Sequence, residues 1–384
     1  MIKTQSAWTV EVDDGELAIK EIKSRLDLNG LGRNTIGIVA CHYEFVLSGV
    51  LKAVCDALPF EVAGVISSSQ SVNGKTGSLL LTLMVLTGDG VEFVTAQTPS
   101  LQTEPEKAIT ETYESVRRKE RPALIFTFAP FMLQNAGDDY VNILTRISGG
   151  APCFGSLAVD DTEDYSNCFM VNSRGYFRDE MSMVLVYGDI SPKFFIANIS
   201  DNKILDATAV VTKSAGPLIM EVNGRPITDF FENYGLIKAA ETQYALSTLP
   251  FLLDYNDGSP KVSKIFVGLT PERYAICAGA VPQGCTLYVT SSDKDDVLFT
   301  TGEVMGRLLG EAGNISGMLA YSCISRGMAL GAEQFSEMDL VTEKIGGRFP
   351  FMVAYSGGEI CPTRVTGSGA VNRFHNNAFV VCLF

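Results

Sequence analysis

The chain has 384 residues, of which 46% are hydrophobic, and it carries a formal net charge of −14. That length can fill two or three domain cores, whereas the acidic balance, spread along the chain, argues against a surface that binds nucleic-acid phosphates. The longest apolar run, at residues 79–86, is too short to cross a bilayer, and residues 1–8 lack the apolar core of a signal peptide, so we expect a cytoplasmic protein without membrane insertion.

The first predicted elements are a short strand at residues 8–12 and an amphipathic helix at about residues 15–26. A pattern then begins that occurs three times: an apolar run, a helix-like stretch, a second apolar run ending in Ser or Gly, and a third apolar run. The apolar runs of the first two copies lie at residues 36–40, 62–66, 79–86, 123–128, 151–155 and 181–187. A helix predicted at residues 104–120 connects these two copies.

From residue 193 to residue 280 the sequence becomes strand-like, and a third copy of the pattern follows it. Turns are predicted at residues 223–224 and 256–258, and short helical stretches at residues 227–231 and 236–246. A longer helix is predicted at residues 293–309, before the third copy. The apolar runs of the third copy lie at residues 317–322, 351–355 and 378–384.

These elements predict an α/β protein, or more specifically a mixed α+β protein, with two domains. Each domain would contain mixed sheets flanked by helices, and the fold would be built around three β–α–β units. Residues 1–190 would hold two copies, and residues 191–384 a strand-rich insertion and the third copy. Parallel strands joined by a helix leave the loops after the first and second strands on one sheet edge, where α/β proteins usually hold ligands. The side chains that this places at such edges are His42, Gln70, Cys323, Arg326 and Glu359.

Several motifs resemble those of the FIST family. The segments that resemble its FIST C domain are Ala209-Val-Val-Thr-Lys213, Glu221-Val-Asn-Gly-Arg-Pro226, Tyr321-Ser-Cys-Ile-Ser-Arg326, Tyr355-Ser-Gly-Gly-Glu359 and Phe374-His-Asn376. The segments that resemble its FIST N domain are residues 63–69 and 128–131. The resemblance covers roughly residues 30–384 and implies a bacterial sensory module that binds a small, amino-acid-like ligand. It also implies action in trans on a histidine kinase, a cyclic-dinucleotide enzyme or a chemotaxis receptor.

The predicted ligand site centres on the turn after the second strand of the third copy. Gly357 and Gly358 would let the backbone turn sharply and leave amide groups facing a ligand. Glu359 would accept from an ammonium group and Arg326 would pair with a carboxylate, which suits a zwitterion. An Arg326–Glu359 ion pair between adjacent loops is the structural alternative. The other predicted ligand contacts are Cys323, Ser69, Gln70 and Asn376.

Two further functions stay open at this point. Haem, which the resemblance implies for members that sense nitric oxide, would bind through His42 or, less favourably, His375, and hydrogen-bonded structural histidines are the competing interpretation. A cysteine-dependent enzyme would use Cys323 or Cys361 as a thiolate and His375 as a base, without an identifiable third group. The nine cysteines lack Cys-x-x-Cys spacing and the chain has only two histidines, so no structural zinc site is expected. The leading interpretation expects no other metal and no cofactor.

Overall fold

The structure is a computed structural model that describes residues 2–131, 137–162, 164–240, 250–310, 313 and 315–384. Its strands are β1 Lys3–Thr9, β2 Asn34–Cys41, β3 Glu61–Ile66, β4 Gln70–Val72, β5 Lys75–Gly77, β6 Leu81–Gly88, β7 Val91–Gln97, β8 Leu124–Ala129, β9 Cys153–Leu157, β10 Met170–Asn172, β11 Gly175–Phe177, β12 Ser182–Gly188, β13 Lys193–Ala197, β14 Ile204–Ala215, β15 Leu218–Val222, β16 Arg225–Pro226, β17 Pro250–Asp254, β18 Val262–Leu269, β19 Ala275–Cys277, β20 Thr286–Thr290, β21 Met318–Cys323, β22 Phe351–Ser356, β23 Glu359–Thr366, β24 Gly369–His375 and β25 Phe379–Leu383.

The α-helices are α1 Gly15–Ser24, α2 Glu44–Leu47, α3 Val50–Ala57, α4 Pro105–Val116, α5 Gly137–Ile147, α6 Ile227–Asn233, α7 Ile237–Ala240, α8 Lys294–Gly310, α9 Ile324–Leu330 and α10 Ser336–Ile345. Short 3-10 turns lie at Leu28–Gly30, Asp201–Lys203 and Gly331–Glu333. The helix predicted at 236–246 begins as α7, and the rest of it lies outside the described residues. Among the helices described, none combines the length and the apolar character that a membrane span requires.

The three predicted β–α–β units are confirmed. In each copy the first two strands are parallel, as β2–β3, β8–β9 and β21–β22, and the third run pairs antiparallel with the first, as β6, β12 and β25. Each copy also begins earlier than predicted, with an edge strand that pairs antiparallel with the third run; these strands are β1, β7 and β13. The first edge strand lies at Lys3–Thr9 rather than at the predicted residues 8–12.

The sequence pattern did not reveal an exchange of hairpins between the copies. Hairpin β4–β5 of the first copy pairs with β22 of the third, β10–β11 of the second pairs with β3 of the first, and β23–β24 of the third pairs with β9 of the second. The exchange is cyclic, so within the described residues each copy builds a six-stranded mixed sheet of the same order. Strands therefore pair across residue 190, and the division into two domains there stays a prediction.

Alternate residues of the central strands point to two different cores. In β2, Ile36, Ile38 and Ala40 belong to a hydrophobic cluster to which all three of these sheets contribute, whereas Val39 and Cys41 belong to a cluster with α1 and α3. Helices α4 and α5 cover the second sheet in the same way, and α8 and α10 cover the third. The strands are buried on both faces, which explains why their sequences read as continuous apolar runs.

The strand-rich insertion forms a sheet of its own between β13 and α8. Its described strands, β14 to β20, pair antiparallel and enclose a separate hydrophobic cluster. Both turns predicted for it are present, with Asn223 and Asn256 at left-handed φ values of 51° and 57°, a conformation that Asn tolerates better than most residues. Strand β18 of the insertion lies against β24 of the third copy, and this contact positions the candidate site.

Candidate ligand-binding site

The carboxyl ends of β3, β9 and β22 meet at one rim because the exchanged hairpins cross there. The amide of Gly357 donates to the Leu157 carbonyl at 3.0 Å, and the amide of Val159 donates to the Ile66 carbonyl at 3.1 Å. The amide of Tyr355 donates to the Ser69 carbonyl at 3.0 Å, which completes the ring of three copies. The predicted ligand-binding edges of the three sheets therefore lie together rather than apart.

Arg326 lies at this end of the third sheet, but its side chain is only 1% exposed and is fully engaged by neighbouring helices. Its Nε and Nη2 atoms donate to Oε1 of Glu337 at 2.9 and 2.8 Å, and Nη2 also donates to the Val297 carbonyl at 3.0 Å and to Thr301 Oγ1 at 2.8 Å. The structural alternative of an Arg326–Glu359 ion pair is therefore wrong, because the partner is Glu337. The sequence missed Glu337, since a carboxylate within a helical pattern usually lies in solvent.

Two serines connect this ion pair with Glu359. Ser322 Oγ donates to Oε2 of Glu337 at 2.5 Å, and Ser356 Oγ lies 3.3 Å from the Ser322 carbonyl oxygen. Ser356 Oγ also donates to Oε1 of Glu359 in a short hydrogen bond. Arg326 and Glu359, which the sequence placed together, are thus separated by Glu337 and the two serines rather than in direct contact, although Arg326 still lowers the pKa of Glu359.

Glu359 is fully buried, and burial raises the pKa of its carboxyl group well above the usual value. The Ser356 hydroxyl, the Ala378 backbone, Arg326 and Cys323 partly offset this rise. The Ala378 backbone and the Cys323 thiol act on it as hydrogen-bonding groups, but its Oε2 atom makes no hydrogen bond of normal geometry among the described residues, so this oxygen is only weakly paired. A buried carboxyl group with a weakly paired acceptor atom and a raised pKa is a candidate for a functional site, because buried polar groups are otherwise well paired.

His375 lies directly opposite Glu359 in the β23–β24 ladder, so the two side chains share one face of the sheet. Its Nε2 atom lies 3.1 Å from the Cys361 carbonyl oxygen, while Nδ1 has no partner among the described residues. Burial, assisted by Lys264 and Arg373, lowers the pKa of His375 to about 3, so its ring is neutral at physiological pH.

The turn that follows His375 adds two buried amides. Ser325 Oγ donates to Oδ1 of Asn377 at 3.0 Å, and Asn377 adopts a left-handed φ of 50°. The amide of Asn376 donates to the Ser263 carbonyl of the inserted sheet at 3.0 Å. Asn376 Oδ1 and Asn377 Nδ2 have no partner among the described residues. The sequence predicted Asn376 and missed Asn377, although two successive Asn residues before a final strand suggest a left-handed turn.

Unpartnered buried polar atoms concentrate in the seam, which we define as the junction between residues 369–377 of the third copy and residues 255–264 of the inserted sheet. Within the described part of the chain, the atoms of the seam without a hydrogen-bond partner are Tyr255 OH, Ser259 Oγ, Ser263 Oγ, Arg373 Nε, His375 Nδ1, Asn376 Oδ1 and Asn377 Nδ2, with Glu359 Oε2 opposite His375. Because such atoms normally find partners, their concentration indicates a place suited to a polar ligand.

The two glycines have a packing role that differs from the prediction. A Cβ atom on Gly357 would lie 2.8 Å from the Ala158 carbonyl oxygen, and one on Gly358 would overlap the Phe374 ring. The Gly357 amide does not face a ligand, because it donates to Leu157. The glycines therefore allow the exchanged hairpin to pass close to the second copy.

The remaining predicted contacts lie at the rim, but they bond within their own loop. Ser69 Oγ donates to the Ser68 carbonyl at 2.8 Å, and Gln70 Nε2 donates to the Ser67 carbonyl at 2.6 Å. Gln70 Oε1 is buried and has no partner in the described part of the chain. Cys323 lies beside Glu359, whereas among the described contacts neither Ser69 nor Gln70 reaches Glu359. The ligand roles of Cys323, Ser69 and Gln70 stay predictions.

The histidines and thiols bear on the two alternative functions. His42 Nε2 lies 3.3 Å from both carboxylate oxygens of Asp161, and the buried His375 is bonded as described above. Neither histidine lines the surface groove of about 660 Å³ on the third copy, so the haem hypothesis gains no support and stays a prediction.

All nine cysteines are buried and free, and burial raises the pKa of Cys323 to about 12 and that of Cys361 well above its usual value. A thiolate is disfavoured at either residue.

We expect the neutral His375 imidazole to make stability depend on pH. Between the ordinary histidine pKa of about 6.5 and the folded value, the unfolded chain binds more protons, so stability is lost as the pH falls. Urea unfolding at pH 7 and pH 4.5 should show that His375→Gln reduces this acid-induced loss by about 2–3 kcal/mol relative to the native protein.

Glu359 has the opposite effect on stability, because its raised pKa stabilises the folded state as the pH falls. The native protein and His375→Gln both contain Glu359, so its effect cancels when the two are compared. The variant His42→Gln controls for the removal of an imidazole elsewhere in the chain. The same pH dependence in His375→Gln and in the native protein would contradict a neutral buried His375.

Comparison with known proteins identifies two family domains in the chain, and their boundary lies between residues 225 and 229 rather than at residue 190. The FIST N domain matches residues 35–225, and the FIST C domain matches residues 229–362. No curated protein matches the sequence. Solved structures give only distant similarity: a cyanuric acid hydrolase from A. caulinodans (10% identity, TM-score 0.37, covering 100% of this chain and 98% of that one) and PurLQS from Thermotoga maritima (9%, 0.19, 100% and 72%). TM-scores this low carry no argument about fold or function.

Proposed function

Because the chain belongs to the FIST family, whose domains bind small ligands as sensory modules in signal transduction, we propose that it is a cytoplasmic sensor that binds its ligand without turnover. It would signal in trans to a histidine kinase, a cyclic-dinucleotide enzyme or a chemotaxis receptor. The observation that carries the proposal is the buried, weakly paired Oε2 atom of Glu359, together with the unpartnered side-chain amide atoms of Asn376 and Asn377 in the seam. A structural core normally pairs such atoms with protein groups or buried water, so their concentration supports a site for a small polar ligand.

The chemistry of the site favours a small ligand with an ammonium group. Burial favours the protonated form of Glu359, and an incoming ammonium group would compensate the charge of the ionised form and bond to Oε2. Asn377 Nδ2 would donate to an acceptor of the same ligand, which is compatible with an amino-acid-like molecule. Arg326 is already paired with Glu337, so in this proposal it positions the site through Ser322 and Ser356 and does not contact the ligand.

Ligand entry requires movement, because Glu359 and His375 are fully buried. The seam is the contact that would open, since polar contacts, among them the Arg373–Asp257 ion pair, join the inserted sheet to the third copy there. One of them is the hydrogen bond from Asn376 to Ser263, and another is the side chain of Lys264. Separation of the inserted sheet from β24 would expose the polar atoms and give the protein two states, which ligand binding could bias.

We expect Glu359→Gln to weaken ligand binding by about 10- to 100-fold, because a hydrogen bond to a charged group contributes about 1.5–3 kcal/mol. The ligand would be sought by native mass spectrometry of the freshly purified protein and by thermal-shift screening against the common L-amino acids and simple amines. Calorimetric titration of the native and variant proteins with the selected compound then gives the two affinities.

Glu120→Gln is the matched control, because Glu120 is an exposed carboxylate outside the candidate site. Equal affinities of the native protein and Glu359→Gln would overturn the proposed site. Conversion of the compound to a product, followed by mass spectrometry over several hours, would overturn the absence of turnover. A Soret band in the purified protein, or one gained on titration with haemin, would favour the haem alternative instead.

A further inference from the structure

A surface groove of about 660 Å³ lies between α8 and α10, on the outer side of the third sheet. Its lining includes Phe299 and Leu340, and the Phe299 side chain is 57% exposed. A single exposed apolar residue is common on protein surfaces, but here Phe299 shares the groove with the partly exposed Leu298 and Leu340, and contiguous exposed apolar surface marks binding sites. Helix-in-groove recognition uses apolar anchors of this kind.

The polar lining of the groove is mainly acidic. Glu303 of α8 and Asp339 and Glu343 of α10 line it, and Lys344 is the cation among the groups that do so. Carboxylates on both helices favour a cationic partner through electrostatic complementarity. A second copy of this chain is disfavoured, because its formal net charge of −14 would oppose the same acidic lining.

The position of the groove suits a signalling contact. Both helices that form it also hold Arg326, through Thr301 and the Val297 carbonyl of α8 and through Glu337 of α10. Thr301 Oγ1 donates in turn to Oε1 of Glu337 at 2.5 Å, which ties the two helices to each other. A partner in the groove would therefore contact the elements that carry this ion pair, whose arginine acts electrostatically on Glu359.

We propose that this groove binds a basic amphipathic helix of a signalling partner, with an apolar residue packed on Phe299 and with lysines or arginines facing Glu303, Asp339 and Glu343. The assignment extends the proposed function to a docking surface. Docking can be measured without knowledge of the small ligand, so its test is independent of the site at Glu359.

The probe is a fluorescein-labelled synthetic helical peptide with a leucine stripe flanked by lysines, titrated with the full chain and followed by fluorescence anisotropy. Phe299→Ser and Glu303→Lys should each lower its affinity at least tenfold. Tyr176→Ser is the matched control for an exposed aromatic residue elsewhere on the surface, and Glu120→Lys for a reversed charge. Hydrogen–deuterium exchange of the complex should show protection in α8 and α10.

The proposal is overturned if the lysine peptide does not bind, if the control variants weaken binding as much as Phe299→Ser and Glu303→Lys, or if the protected segments lie outside the two helices. A version of the peptide with glutamates in place of the lysines should bind at least tenfold more weakly. Equal binding of the two peptides would also overturn it. Unchanged melting temperatures of the four surface variants exclude unfolding as the cause of a lost affinity.

Discussion

Replacement of Arg326 with methionine should lower the free energy of unfolding by about 3–5 kcal/mol, because it leaves the Glu337 carboxylate buried without its cation. Arg326 and Glu337 are 1% and 0% exposed, so solvent does not screen the remaining charge. The loss is measured by urea denaturation at pH 7, with the change in midpoint interpreted at constant slope. The sequence favours a ligand contact for Arg326, whereas the geometry favours an effect on folding.

The double variant Arg326→Met/Glu337→Met separates the ion pair from the general cost of altering the core. Removal of both charges should recover a large part of the stability lost in the single variant, because no buried ion is left unpaired. Glu337→Gln alone should be destabilised, since Arg326 then lacks its counter-charge. A double variant no more stable than Arg326→Met, or a single variant with native stability and lost ligand affinity, would contradict the structural role.

We expect Lys264→Met to destabilise the protein by about 3–5 kcal/mol for the same reason, and to loosen the seam in particular. Lys264 Nζ lies 2.9 and 2.8 Å from the two carboxylate oxygens of Asp138 in α5, and it also donates to the Phe374 carbonyl at 2.9 Å. The backbone amide of Ala280 donates to Oδ2 of Asp138 at 2.8 Å. One buried ion pair thus joins the second copy, the third copy and the inserted sheet.

Hydrogen–deuterium exchange measures the local part of this effect. In Lys264→Met, the strands of the inserted sheet and β24 should exchange faster than those of the first copy, because the contact that holds them together has lost its charge pair. Lys261→Met is the matched control, since Lys261 lies near the same strand but is partly exposed. Uniform acceleration over all sheets, or none, would show that the ion pair does not hold the seam.

The sequence was sufficient to predict the three repeated units, because the patterns that indicate strands and helices are local. Parallel pairing of β2 with β3 follows from an apolar run, a helix and a second apolar run, and the left-handed turn at Asn223 follows from residue type. The exchange of hairpins β4–β5 and β10–β11 could not be predicted, because strands of three residues such as Gln70–Val72 carry too little pattern to specify a partner in another copy. The longer hairpin β23–β24 is recognisable, but its pairing with β9 spans only two residues, which no sequence pattern marks.

The candidate site, like the fold, could be predicted from the sequence only in part. Glu359 stands out in the sequence because two glycines precede it at the end of a buried strand, and the structure shows that it is buried with a weakly paired oxygen. Glu337 and Lys264 do not stand out, since a charged residue in a helix or strand pattern normally marks a solvated face. Their burial depends on a partner far away in sequence, and only the assembled fold shows it.

The cyclic exchange of hairpins has a consequence for how the chain acquires its fold. Val72 pairs with Met352, and the edge of β9 is covered by β23, so the first half of the chain cannot complete its pairing until the last residues have been synthesised. Until then, β4–β5 has no sheet to join and β9 exposes unpaired backbone groups, a state prone to association between chains. Pairings between such distant segments also make folding slow. A shortened gene that ends near residue 190 would encode a chain left permanently at that stage.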